Sequence, residues 1–248
     1  MQIAKSARVL AALCPLLAPL MLRAAPNDYV ISPIVEQGEK EIDIKWGTEK
    51  RKDQSSGTAT SVGFGWGATS WWFTELYGKW KREPGQSNAF DAVEWENRFQ
   101  LTETGKYPVD VGFLLEIERP KDRSEGYELT YGPLLQAEWG AVQGNLNLLW
   151  QKHVRASEPF ETELHYQVQL KYRASEKFEW GVQGFGSLGR WDSWAPASEQ
   201  EHKFGPALFG KMKTGMGKQA IKYNAAILFG SNDASPRTTF RLQTEYEF

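Results

Sequence analysis

Seven carboxylates recur through one stretch of this chain: Glu94, Glu96, Asp110, Glu116, Glu118, Glu128 and Glu138, set against Arg98 alone. A later stretch carries the cations Lys203, Lys211, Lys222 and Arg241. Held on facing walls of a narrow space, the two sets would create a transverse field that orients dipolar solutes. Mutual ion pairing is the other outcome, because charges turned away from bulk water must be solvated or paired. As a cation site the acidic set is weak, since no loop carries the ligand spacing of a calcium site. A hydrolytic set also exists in outline. With a turn centred near position 175, His165 falls diagonally close to Ser187 and Glu163 falls opposite it, which allows Ser-His-acid chemistry. Against it, "FGSLG" around Ser187 is no nucleophile motif and His165 has polar neighbours to bond. His153 and His202 lack further ligand-type neighbours and read as surface residues rather than metal ligands. Nothing in the chain calls for a cofactor.

The elements that would position these groups are long strands. In "FETELHYQVQLKYR", residues 160–173, Phe160, Leu164, Tyr166, Val168, Leu170 and Tyr172 alternate with Glu161, Glu163, His165, Gln167, Gln169, Lys171 and Arg173; Thr162 is the one polar break in the apolar series. Twelve segments of about ten residues share this pattern, the length a tilted strand needs to cross a bilayer. Ile42, Ile44 and Trp46 alternate with Glu41, Asp43 and Lys45, and Val111, Phe113, Leu115 and Ile117 with Asp110, Glu116 and Glu118. Phe240, Leu242, Thr244, Tyr246 and Phe248 alternate with Arg241, Gln243, Glu245 and Glu247. The seventh segment is ambiguous in phase because Leu149 is apolar as well as Leu146, Leu148 and Trp150. Connections alternate between short ones (68–70, "ETGKY" around Gly105, 140–143, 174–177, 214–218) and longer polar ones (50–57, 83–88, 119–126, 155–160, 190–202, 231–237). Two Trp, Trp191 and Trp194, mark the 190–202 connection and fit an interfacial belt better than a partner site.

A water-soluble barrel alternates too, but keeps its apolar face inside. Three features point to lipid outside instead. The strands exceed the usual soluble length of about five or six residues. Charge is nearly absent from every apolar face, where Lys or Arg would cost about 2–4 kcal/mol at mid-bilayer. Trp46, Trp66, Trp80, Trp139 and Trp150 lie near segment ends, as interfacial belts require. The 248 residues carry a formal charge of −2, so nothing electrostatic favours nucleic acid as a partner. At the N-terminus, Lys5 and Arg8 precede an apolar run from Val9 to Leu22 and then Arg23-Ala24-Ala25, the order of a secretory signal. The single cysteine, Cys14, falls inside it, so the exported chain would hold no disulfide.

The chain closes on "FRLQTEYEF", with Phe248 last and Tyr246 two before it. This resembles the C-terminal strand of bacterial outer-membrane β-barrel proteins, and with the signal and strand pattern the resemblance to uncharacterised proteobacterial members covers the whole chain. It implies recognition of Tyr246 and Phe248 by the barrel-assembly machinery. Some twelve-stranded members are phospholipases, but with catalytic residues on the lipid side, which leaves His165 poorly placed.

The reading is therefore an all-β, transmembrane, antiparallel up-and-down barrel of 12 strands in a bacterial outer membrane. Residues 1–25 are a cleaved signal, 26–38 a periplasmic N-terminal segment that follows the rim or tucks into the lumen, and 39–248 the barrel. Spacing of ~4.8 Å and tilt of ~40° give a backbone diameter of roughly 24 Å, leaving about 10 Å between side chains. Strand five then lies across from strand eleven. The expected role is a narrow channel for small polar or charged solutes. A non-conducting barrel with an ion-paired lumen is the alternative, and an outer-membrane hydrolase ranks third.

Overall fold

Alternating side chains sort to opposite faces of a strand, so a chain with apolar residues at every second position must either bury one face or give it to lipid. The computed structural model, which describes residues 25–248 apart from 216 and 218, resolves this choice. Twelve antiparallel strands follow one another in chain order around a closed barrel. They are β1 (Lys40–Lys50), β2 (Gly57–Gly67), β3 (Trp72–Arg82), β4 (Ala89–Gln100), β5 (Asp110–Pro120) and β6 (Tyr127–Trp139). The second half comprises β7 (Val142–Val154), β8 (Glu163–Ser175), β9 (Phe178–Arg190), β10 (Glu201–Lys213), β11 (Ala220–Gly230) and β12 (Thr238–Glu247). The seam between β1 and β12 runs in continuous register from Glu41 opposite Glu247 to Lys50 opposite Thr238. The Phe248 N–H donates to the Lys40 carbonyl at 2.9 Å and completes it.

The charged face is inside. Asp43 is 1% exposed and its neighbour Ile44 is 45% exposed, and the same inversion places Glu75, Glu96 and Arg241 inward and Leu76, Trp95 and Leu242 outward. Aromatic pairs ring both ends of the outer surface. Trp46–Phe240, Trp80–Phe90 and Tyr131–Trp150 lie toward the longer loops. Trp71–Phe99, Tyr172–Trp180 and Tyr246–Phe248 lie toward the shorter turns. Such girdles match the two interfaces of a bilayer.

Two features depart from the sequence reading. The connection around Gly105 is not a short turn: it spans residues 101–109. Asp110 stabilises it by accepting from the Gly105 N–H at 2.8 Å. The lumen is also not uniformly polar. Leu114, Leu134 and Leu149 form one inward apolar cluster, and Phe185, Ala207, Phe209, Ala226 and Leu228 form another. Near each cluster a mid-strand proline interrupts a ladder. Residues 132–133 of β6 drop out of pairing with β7, and residues 205–206 of β10 drop out of pairing with β11. Proline has no N–H to leave orphaned, so it is tolerated at such breaks.

Leu76, at mid-height of β3 and 57% exposed, faces the hydrocarbon in this arrangement. Leu76→Arg is expected to lower folding stability in lipid bilayers by about 2–4 kcal/mol, read from urea titration of the folded fraction. An unchanged midpoint would mean that this face does not meet lipid.

Candidate functional site

Cross-strand pairing sets like charges side by side on the inner wall. Glu75 of β3 stands opposite Glu96 of β4, which stands opposite Glu116 of β5. One level nearer the long loops, Glu94 is opposite Glu118, which is opposite Glu128 of β6. Such rows persist only with counter-charge between them. Lys79 supplies it above, at 2.8 Å from Glu94 and 2.5 Å from Glu118. Below, Arg98 approaches Glu96 at 3.2 Å and Glu41 at 3.7 Å while its guanidinium lies over Phe73. Lys45 is 3.5 Å from Asp43 and is held between the rings of Tyr29 and Tyr77, at 3.6 and 3.8 Å. Both rings then anchor acids: Tyr77 donates to Asp43 at 2.7 Å and Tyr29 to Glu96 at 2.6 Å.

The remaining acidic residues lie apart. Glu128 accepts from Gln151 and is 3.3 Å from His153. Asp110 serves its turn, and Glu138 is joined by two bonds of 2.9 Å to Arg173 at the short-turn end. The cations divide likewise. Lys211 and Lys222 are at the short-turn end, at 2.6 Å from Glu247 and 3.2 Å from Glu39 respectively. Lys203 and Arg241 lie higher, both over the ring of Phe185. Counting charges on β4–β6 alone misses Lys45 and Lys79, which reach that wall from β1 and β3. The visible signal was their inward phase in those strands.

Of the two courses open to residues 26–38, the inner one is taken. The segment is tethered at the short-turn end, where Gly38 donates to Gly67 at 2.8 Å, and then climbs through the lumen. Val35 donates to Gln100, Ser32 to Gln136 and Ile31 to Gln167, at 2.8, 3.2 and 3.3 Å. Asn147 donates to the Ile31 carbonyl at 3.0 Å, Asn27 to Ser61 at 2.9 Å and Lys203 to the Ala25 carbonyl at 3.1 Å. Ile31 and Tyr29 fill the Leu114 cluster, and Val30 packs on the Phe185 cluster. Two glycines in the wall make room. A Cβ on Gly47 would lie 2.2 Å from the Pro26 carbonyl oxygen, and one on Gly112 would lie 2.8 Å from Pro33 Cβ. The signal proposed for residues 1–25 lies outside the described residues except at Ala25.

Above the segment remains a cavity of about 760 Å³, bordered by residues of the long loops and walled by Lys79, Glu94, Glu116, Glu118, Glu128 and His165. Residues 25–29 and Ile31 form its floor. At the mouth, bonds from the Ser124 side chain and backbone hold Asp122 below the usual carboxylate range, and Arg190 does the same for Asp192. Among the described residues, two carboxylate triplets are close enough to share a cation: Glu94/Glu96/Glu116 and Glu39/Glu41/Glu247. Lys79, Arg98 and Lys222 already stand as their counter-charges.

The hydrolytic set does not assemble as its spacing suggested. A register shift places His165, not Glu163, opposite Ser187. Ser187 donates to Glu163 at 3.2 Å, and His165 is 3.6 Å from the same carboxylate. The acid therefore sits between serine and histidine, and the hydroxyl donates to the carboxylate rather than to the imidazole that a Ser-His-acid set would use as its base.

No protein-family model matches the chain, and no curated protein matches it by sequence. Solved structures do match its fold. The COG4313 outer membrane channel from Pseudomonas putida F1 superposes with a TM-score of 0.62 at 9% identity, covering 91% of this chain and all of that one. The NanC porin gives 0.55 at 10% identity over 84% of this chain and all of that one. The translocator domain of autotransporter NalP from Neisseria meningitidis gives 0.52 at 14% identity over 86% and 89%. At these identities the likeness is one of fold, that of outer-membrane β-barrels.

Gly47→Val removes the space that Pro26 occupies and is expected to push residues 26–31 off the wall. A protease added to the folded protein should then cut within 26–31 at least several-fold faster than in wild type. Equal cutting rates would show that this contact does not hold the segment.

Proposed function

We propose that this barrel resides in a bacterial outer membrane and is a narrow channel for passive passage of small polar or charged solutes. The observation that carries the reading is the charged cavity of about 760 Å³ whose floor is an unpaired segment rather than barrel wall. Side-chain hydrogen bonds tie residues 27–35 to β2, β4, β6, β7 and β8, and no continuous strand ladder does. Such ties open at far lower cost than a closed sheet. Two structures of like fold bear the names of a porin and an outer membrane channel, which supports the same class. Acids outnumber cations around the cavity, so cations are favoured at its entrance. In the ring of twelve, the strands of the acidic set, β4–β6, lie across from β10–β12, which carry Lys203, Lys211, Lys222 and Arg241, and we read the pair of walls as a transverse field. Export by a cleaved signal over residues 1–25 and assembly through Tyr246 and Phe248 belong to this proposal. Both aromatic rings face outward at the short-turn end, where a lipid-side factor has access.

A second reading has one specific observation in its favour. The segment and its ion-paired surroundings fill the centre of the barrel, as they would in a non-conducting scaffold. Planar-bilayer recording separates the two. The channel reading expects small, flickering, cation-preferring conductance from the wild type and a severalfold larger conductance after deletion of residues 27–37. Glu116→Gln with Glu118→Gln should weaken the cation preference. Silence from both wild type and deletion would establish the scaffold instead.

A further inference from the structure

Arg241 is the largest fully buried side chain among the described residues. It is 1% exposed, and neither Nη1 nor Nη2 has a hydrogen-bond partner there. An unsatisfied buried guanidinium is costly, because the charge has left water and gained no acceptor. Asp43 of the wall acts on it electrostatically without a hydrogen bond to either Nη. The guanidinium lies 5.4 Å from the centre of the Phe185 ring, and the Lys203 ammonium lies 5.7 Å from the same ring. Phe185 belongs in turn to the apolar cluster of Ala207, Phe209, Ala226 and Leu228. Two buried cations thus stand beside an apolar cluster that includes two alanines.

The N-terminal segment covers that cluster. Val30 packs against the apolar cluster, and two residues earlier the Asp28 carboxylate interacts electrostatically with Lys203 and Arg241. Asp28 forms no hydrogen bond or ion pair with Arg241, so it is near the cation without satisfying it. The segment presents an acid followed by an aliphatic group, which is the outline of a small amphiphilic acid.

We propose that the surface formed by Arg241, Lys203, Phe185, Phe209 and Leu228 binds, once residues 28–30 move off it, small organic acids that join a carboxylate to an apolar body, and that residues 28–30 cover it as a built-in competitor. A carboxylate bound there would give the Nη atoms the acceptors they lack, in the paired geometry that guanidinium favours. Its apolar body would replace Val30. Binding and release of the segment are then one event, and a solute that binds there also lifts part of the floor. The inference deepens the channel reading by naming a solute class, and its test reads binding rather than flux, so the two stand or fall separately.

The test is calorimetric titration of the purified barrel in detergent with hexanoate and benzoate, against acetate, hexan-1-ol and hexylammonium. A second readout is maleimide labelling of Val30→Cys in a Cys14→Ser background. Hexanoate and benzoate should bind saturably and speed labelling at position 30, while hexan-1-ol and hexylammonium do neither. Asp28→Asn should tighten hexanoate binding severalfold, and Arg241→Gln should weaken it about tenfold or more, the scale of a charge-assisted bond. If Arg241→Gln fails to fold, the Asp28→Asn titration and the labelling decide alone. Hexylammonium or hexan-1-ol binding as well as hexanoate would overturn the inference, as would absence of binding to both wild type and Asp28→Asn. Conductance without such binding defeats this inference and spares the channel; binding without conductance does the reverse.

Discussion

Hydrocarbon offers no partner to a peptide N–H or carbonyl, so a sheet that crosses a bilayer must have no edge. The pairing of β12 with β1 meets that requirement, and the terminal Phe248 N–H extends it to the last residue. Everything else in the architecture answers to the same closure. A ring of twelve strands fixes the width of the lumen, turns the apolar face outward and commits the charged face to an enclosed space. Even the interruptions conform. Pro133 and Pro206 occupy positions where the ladder lapses, and neither brings an N–H to be left unpaired.

Closure creates a second problem inside. Eight strands can be filled by the side chains of their own wall, while many more leave open water; twelve fall between. The N-terminal segment supplies the missing interior. Its Ile31 and Tyr29 fill one apolar cluster, its Val30 covers another, and Tyr29 completes the cage around Lys45. Gly47 and Gly112 matter for the same reason, since the segment runs where their side chains would be. The wall was shaped with the segment in place.

Two kinds of bonding therefore coexist at one depth. Continuous ladders hold the wall, and a set of separate side-chain hydrogen bonds holds the floor of the cavity. The weaker set fails first under any perturbation, which is the physical basis for reading the segment as movable within a rigid frame. Charge placement has the same division. Lys79 and Arg98 neutralise the acidic rows from within the wall. Arg241 is left facing the segment with neither Nη hydrogen-bonded.

The sequence alone determined what depends on alternation. Period two over ten residues, the near-absence of charge from one face, and Trp at the strand ends specify long strands with lipid outside and a polar interior. Those signals are local, and they were enough for the strand number and for the inward phase of Glu94, Glu116, Lys222 and Arg241. They did not specify partners. Which charge meets which depends on register across strands distant in sequence: Lys79 bridges Glu94 and Glu118 because β3, β4 and β5 align as they do. One shift between Glu163 and His165 was enough to undo a plausible triad. Nor did alternation assign residues 26–38, whose two prolines and scattered apolar groups carry no period. Their course was decided by the volume left inside a closed ring of twelve, and volume is a property of the closed ring, absent from any single strand.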